Sequence, residues 1–153
     1  LFTGTIGLFP IVAVLMPVVA GMGGNAATQT LTVIVRGIAL GELTWGNTRK
    51  ALLKEAAVGL GNGIACGIVG GLVVVAFTRG DWVLGLVLGL AMIINMFVAA
   101  TAGTMIPLLL RALKVDPALA SSVFITTLTD MFGFFSFLGL ATLFISYLRV
   151  GGQ

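Results

Sequence analysis

The sequence predicts an all-α fold, a polytopic membrane bundle with four transmembrane helices in this chain, forming one domain over residues 1–153. Three observations predict it. Of the residues, 59% are hydrophobic and only 8% are charged, where a soluble domain carries about 25% charged residues. Mean hydropathy is +1.19. The apolar residues are gathered into long runs, and short loops hold most of the charges. A spanning helix needs about 20 apolar residues at 1.5 Å rise each.

The first helix is expected over residues 2–40. Pro17 and the glycines of Gly21-Met22-Gly23-Gly24 should bend or loosen it. Such a break is tolerated in a membrane only against protein or water. A loop over 41–49 carries Glu42, Trp45 and Asn47. The second helix, 50–77, places Gly59, Gly63, Gly67 and Gly71 on one face. That spacing lets helix backbones approach closely, so tight packing is the reading. Asn62 on this helix is expected to hydrogen-bond a neighbour. Arg79, Gly80 and Asp81 form the second loop. The third helix, 82–113, repeats the small-residue pattern at Gly85 and Gly89 and has Asn95, Thr101 and Thr104 as a polar side. The fourth, 117–148, opens with Asp116 as N-cap and Pro117 in the first turn. Residues 150–153 are a tail.

Charge assigns a topology. Arg36, Arg49, Lys50, Lys54, Arg111 and Lys114 flank the first and third loops; Arg79 and Arg149 flank the second loop and the tail. Cytoplasmic loops are the cation-rich ones. The first and third loops are therefore expected in the cytoplasm and both chain ends outside. Trp45, Trp82 and Tyr147 stand near helix ends, as interfacial aromatics do. The net charge of +3 is membrane-flanking charge and not a nucleic-acid surface. The chain opens at Leu1 in apolar sequence without a basic region, unlike a signal peptide. It is expected to be a piece of a longer protein.

Several chemistries are excluded. With no histidine, the commonest ligand for zinc, copper and non-haem iron is missing, as are His-dependent triads. Cys66 is alone, so there is no disulfide framework. An intramembrane aspartyl protease needs two facing carboxylates, and the deep apolar runs of one chain offer one. No enzyme activity is expected.

That one carboxylate is Asp130, in Thr126-Thr127-Leu128-Thr129-Asp130. A charge at the bilayer centre costs about 2.5–3.5 kcal/mol on insertion scales, so it marks a functional position. At 3.6 residues per turn, Ser122, Thr126, Asp130, Gly133 and Phe137 share one side of the fourth helix, with Thr127 and Thr129 flanking. On the first helix, Gly21, Gly24, Asn25, Thr28, Thr32 and Arg36 form a second stripe. Neither stripe can face acyl chains. The donors on offer are all oxygen, which suits a hard cation such as Mg2+ that keeps most of its water shell. Proton handling, an ion pair with Arg36 and plain helix bonding stay open for Asp130.

At Pro17-Val18-Val19-Ala20-Gly21-Met22-Gly23-Gly24-Asn25-Ala26-Ala27-Thr28-Gln29, Val35-Arg36-Gly37, Lys54-Glu55, Pro107-Leu108-Leu109-Leu110-Arg111, Asp116-Pro117 and Thr126–Asp130, the sequence strongly resembles the MgtE family of magnesium channels and transporters. The resemblance covers nearly the whole chain, in order. It implies a homodimer with a channel-like pore at the subunit interface, lined by the first and fourth helices. Asp130 then matches the mid-membrane aspartate that recognises hydrated Mg2+, and backbone carbonyls at Gly21, Gly24 and Thr126 match its co-ligands. Asn25, Thr28, Thr32, Ser122 and Thr127 match pore-lining positions. Mg2+ is the implied cargo, with Mn2+, Co2+ and Ca2+ as other oxygen-seeking candidates; homodimer partner and membrane lipid are the implied contacts. Family members usually carry cytosolic regulatory domains, a plug helix and one more membrane helix before the first seen here, none of which this sequence contains. Val123 stands where many relatives have proline. An alternative function, an H+- or Na+-coupled secondary transporter, would use the same aspartate. A non-transporting assembly subunit is disfavoured by the two polar stripes.

Overall fold

A computed structural model describes residues 2–8, 10–119 and 122–144. It contains α1 (Thr3–Leu8), α2 (Pro10–Ala39), α3 (Thr48–Phe77), α4 (Trp82–Ala112), a 3-10 turn (Pro117–Leu119) and α5 (Ser122–Leu143), with no strand among the described residues. Helices α2 to α5 are each long and apolar enough to cross a membrane. The chain is an all-α, multi-pass membrane protein.

The stretch expected as one helix over 2–40 is described as α1 and, from Pro10 to Ala39, as α2; residue 9 between them lies outside the described residues. Pro17 does not break α2, which continues through the glycines to Ala39. At the other end, Asp116 and Pro117 start a 3-10 turn and not α5 itself. The Asp116 carboxylate accepts from Ala118 N at 2.9 Å, a local turn bond. The expected end of the fourth helix at 148, Tyr147, Arg149 and the tail lie outside the described residues.

Helix α4 is the centre of the bundle. It packs against α2, α3 and α5; α2 and α5 also pack together, whereas α3 packs extensively only on α4. Accordingly 56% of the most apolar window of α4 is buried, against 22% for α3. One core layer joins Val12 and Val19 of α2 to Leu84, Leu88 and Met92 of α4 and Phe137 of α5. A second joins Ala27 and Leu31, Ala99 and Ile125.

The glycine ladder of α3 meets the glycines of α4 backbone to backbone. A Cβ on Gly67 would stand 2.7 Å from Gly89 O, and one on Gly71 would stand 2.8 Å from Gly85 O. Only hydrogen fits between these helices. Cys66 beside the ladder is a half-buried free thiol that packs against the first core layer.

The first and third loops lie at the same end of the bundle. Arg111, in the last turn of α4, donates to Leu43 O in the first loop, and its guanidinium lies 5.1 Å from the Trp45 ring centroid. The loop is also held from within, by Leu43 N to Gly37 O at 2.9 Å and Asn47 Nδ2 to Glu42 O at 2.8 Å. A hydrogen bond from a charged donor contributes about 1.5–3 kcal/mol. Arg111→Ala is therefore expected to speed amide exchange across residues 41–47 by roughly tenfold or more, leaving exchange in α4 near Leu88 unchanged, as hydrogen–deuterium exchange would read. At the opposite end, the hydroxyls of Thr5 in α1 and Thr142 in α5 are hydrogen-bonded at 2.8 Å.

Candidate functional site

The site is built on the seam between α2 and α5. Gly24 is buried there. A Cβ at Gly24 would meet Thr126 Cγ2 at 3.2 Å and Asp130 Oδ1 at 3.9 Å. With no side chain at residue 24, the α2 backbone can run directly past the carboxylate. Gly24, Thr126 and Asp130 thus come together from residues more than a hundred positions apart. Gly21, the other expected ligand, is exposed one turn earlier with nothing within 4 Å of its Cβ position.

Asp130 sits half-buried at the border of the bundle. It makes no hydrogen bond or ion pair among the described residues, with Arg36 or any other. The face expected around it is split. Thr126 stays with it at the edge, while Gly133 and Phe137 turn inward and are buried, Gly133 against the Asn95 amide of α4. One stripe drawn along α5 thus passes from the edge at Thr126 and Asp130 to the core at Gly133 and Phe137.

Along α2, Asn25 and Thr32 are exposed and Thr28 is half-buried; on α5, Ser122 and Thr127 are exposed. An open groove of about 630 Å³ follows Asn25, Thr28, Gln29 and Thr32. The hydroxyls here turn back on the backbone. Thr28 donates to Gly24 O at 2.9 Å and Thr32 to Thr28 O at 2.8 Å. Thr126 and Thr127 both donate to Val123 O, at 3.1 and 2.8 Å, and Thr129 donates to Thr126 O at 3.0 Å.

Two consequences follow. A hydroxyl has one proton; once that is given to a carbonyl, only acceptor lone pairs face outward. The threonine hydroxyls of the stripe therefore face outward as acceptors, fit for the protons of a cation's water shell, and the Asn25 and Gln29 amides beside them add an acceptor oxygen each. Second, the expected loosening of α2 is absent. Gly24 O and Thr126 O lie inside continuous helices and accept the Thr28 and Thr129 hydroxyls besides the helix's own N–H, so neither is a freed carbonyl, and each can meet an ion's water only when its threonine hydroxyl turns away. No cluster of three or more His, Cys, Asp or Glu exists among the described residues.

A cleft of about 580 Å³ opens on the other side of α2, between α2 and α3. Asn25, Gln29, Thr30, Glu55 and Asn62 line it. Thr30 donates to Glu55 Oε2 at 3.4 Å. Asn62 lines this cleft instead of bonding a neighbouring helix. Gln29, Glu55 and the cleft itself were not among the expected site features. The seven-residue step from Glu55 to Asn62, two helical turns on one face, is the signal that points to them.

A family model described as "Divalent cation transporter", MgtE, matches residues 16–140. The chain belongs to the MgtE family. Its matched region includes α2 from Met16 onward, all of α3 and α4, and the Thr126–Asp130 segment. Magnesium transporter MgtE of Bacillus subtilis (strain 168) is 35% identical over 133 residues, which is 87% of this chain and 29% of the relative. Magnesium transporter MgtE of Enterococcus faecalis (strain ATCC 700802 / V583) is 37% identical over 137 residues, 90% of this chain and 30% of the relative. Magnesium transporter MgtE of Thermus thermophilus is 37% identical over 130 residues, 85% and 28% respectively. This MgtE chain thus spans less than a third of the length of these relatives. The family is one of transporters, not of enzymes.

Proposed function

We propose that this chain forms the membrane pathway of a magnesium transporter, a channel-like pore between two copies of the chain that recognises Mg2+ through its water shell. The observation that carries the reading is the α2–α5 seam, where the lone Asp130 carboxylate borders a polar stripe on the outer surface of one chain whose threonine hydroxyls present acceptor lone pairs. Polar groups so placed cannot face lipid. A second copy set against the same surface encloses them in a wet channel and brings a second Asp130 to the axis. Mg2+ is held this way in general, by one or two carboxylates and outer-shell contacts, because it dehydrates reluctantly.

In this reading Asp130, Gly24, Thr126 and Gly21 contact the hydrated ion, the last three through backbone oxygen. Asn25, Thr28, Thr32, Ser122 and Thr127 line the approach. The first and third loops face the cytoplasm of a prokaryotic inner membrane, where their cations belong.

The test is Mg2+ uptake into proteoliposomes without a proton or sodium gradient. Uptake is expected, and hexaamminecobalt(III), a substitution-inert mimic of a hexahydrated cation, is expected to compete with it. Uptake that requires an H+ or Na+ gradient would support the coupled-transporter reading instead. Failure of the inert complex to compete would rule out recognition through the water shell.

A further inference from the structure

Behind the Asp130 seam stands a polar side chain that the pathway does not use. Asn95 of α4 is fully buried. Its Nδ2 donates to Val19 O of α2 at 2.8 Å, and its Oδ1 has no hydrogen-bond partner among the described residues. A buried acceptor left unmet is costly. A leucine has the same branched outline and number of side-chain heavy atoms, though somewhat more bulk, and would carry no unmet acceptor into this apolar layer, so packing alone does not explain an amide here.

The surroundings are cut to admit it. A Cβ on Gly23 of α2 would overlap the Asn95 amide nitrogen, and a Cβ on Gly133 of α5 would stand 2.8 Å from the same atom. Two glycines, on two different helices, leave room for one amide. Both lie close to the site: Gly23 is next to Gly24, and Gly133 follows Asp130 by one turn. The amide is therefore inserted between the two helices that carry the site, tied to one of them by a hydrogen bond.

We infer that Asn95 is a positioning residue: wedged between Gly23 and Gly133 and bonded to Val19 O, it sets the spacing of α2 and α5 at Gly24 and Asp130, and through it the preference of the site among divalent cations. The second half of this inference rests on the proposed ion pathway; the first half does not. A hydrated-ion site discriminates by the distance between its acceptors, since Mg2+ and Ca2+ differ in size, ligand number and rigidity. A shift of the two helices changes that distance without touching a pore-lining group.

Two measurements on the purified protein test it, with Asn95→Leu retaining bulk and Asn95→Ala removing it. The first reads spacing alone. In a Cys66→Ala background, cysteines at Gly24 and Thr126 are placed for a disulfide, the Gly24 Cβ position being 3.6 Å from Thr126 Cβ. Both Asn95 variants are expected to change the rate of that cross-link at least threefold. The second reads function in the native-cysteine protein. The preference for Mg2+ over Ca2+, from competition in proteoliposome uptake, is expected to fall at least fivefold in Asn95→Leu that elutes as a single species with wild-type yield. A purely structural role would lower yield or melting temperature and leave the ratio alone. Unchanged cross-linking in both variants overturns the wedge. Changed cross-linking with an unchanged ion ratio overturns the link to selectivity. Should the wild type carry no Mg2+, the proposed function fails while the cross-link still decides the wedge. As a further check, Gly23→Ala should damage folding through its collision with the amide, and Asn95→Ala should partly restore it; no restoration counts against the wedge.

Discussion

Asp130→Ala and Asp130→Asn are expected to cut Mg2+ uptake into proteoliposomes by on the order of 100-fold or more, while leaving the protein as stable as the wild type or more so. The two halves have separate physical causes. A carboxylate holding water protons of a bound cation makes charge-assisted hydrogen bonds, each contributing about 1.5–3 kcal/mol. Two such bonds lost in all, one from each copy, amount to about 3–6 kcal/mol, which at about 1.4 kcal/mol per tenfold change in affinity accounts for the drop. Asn keeps the outline of the side chain but loses the charge, so it should rescue little. Stability moves the other way because Asp130 has no partner among the described residues. An intramembrane charge costs about 2.5–3.5 kcal/mol, and neutralising it removes a penalty without breaking a bond. Melting temperature in detergent, measured beside uptake, separates the two. Undiminished uptake in a folded Asp130→Ala protein would remove the carboxylate from the pathway. A collapse in stability would make it a packing group.

The second large effect concerns the α3–α4 contact. Gly67→Ala should destabilise by about 1–3 kcal/mol, the range for overpacking a well-packed site, and Gly67→Leu should leave no monodisperse folded protein. The added carbon would lie 2.7 Å from Gly89 O and 3.3 Å from Gly89 C. Both obstructions are backbone, so no side chain can swing aside and the helices must part. Gly71→Ala meets Gly85 O at 2.8 Å and should behave alike. Gly61 of the same helix is the control. It is exposed, with nothing within 4 Å of its Cβ position, and Gly61→Ala should be stabilising by up to about 1 kcal/mol through helix propensity. Thermal unfolding followed by size-exclusion chromatography reads all three. Equal behaviour of Gly61→Ala and Gly67→Ala would mean that the ladder is not a packing surface.

Much of the site was legible because it depends on position within one helix. Asp130 stands out by its cost in an apolar run. Gly24, Asn25, Thr28 and Thr32 fall on one stripe by periodicity alone, and family resemblance assigns roles to them. The placement of Gly133 and Phe137 was not legible. Their helical phase is close to that of Asp130, yet they are buried, Phe137 among core residues of α2 and α4 and Gly133 against Asn95, and which part of a helix face a neighbour covers is set by pairing and not by phase. Nor was the state of α2. Proline and glycine argue for a break, but packing against α4 and α5 holds it as one helix from Pro10 to Ala39.

What the sequence determined by itself was the membrane class, the number of long apolar helices, the small-residue faces and the lone carboxylate. Each is a property of composition or of spacing within about 20 residues, the length over which a bilayer imposes its own order. Tertiary structure decided which helix receives the glycine ladder, that the Gly24 backbone lies against Asp130, and that Asn95 fills the gap between Gly23 and Gly133. These depend on helix pairings between residues as far apart as 24 and 130, and periodicity along one helix carries no information about the register of its neighbour.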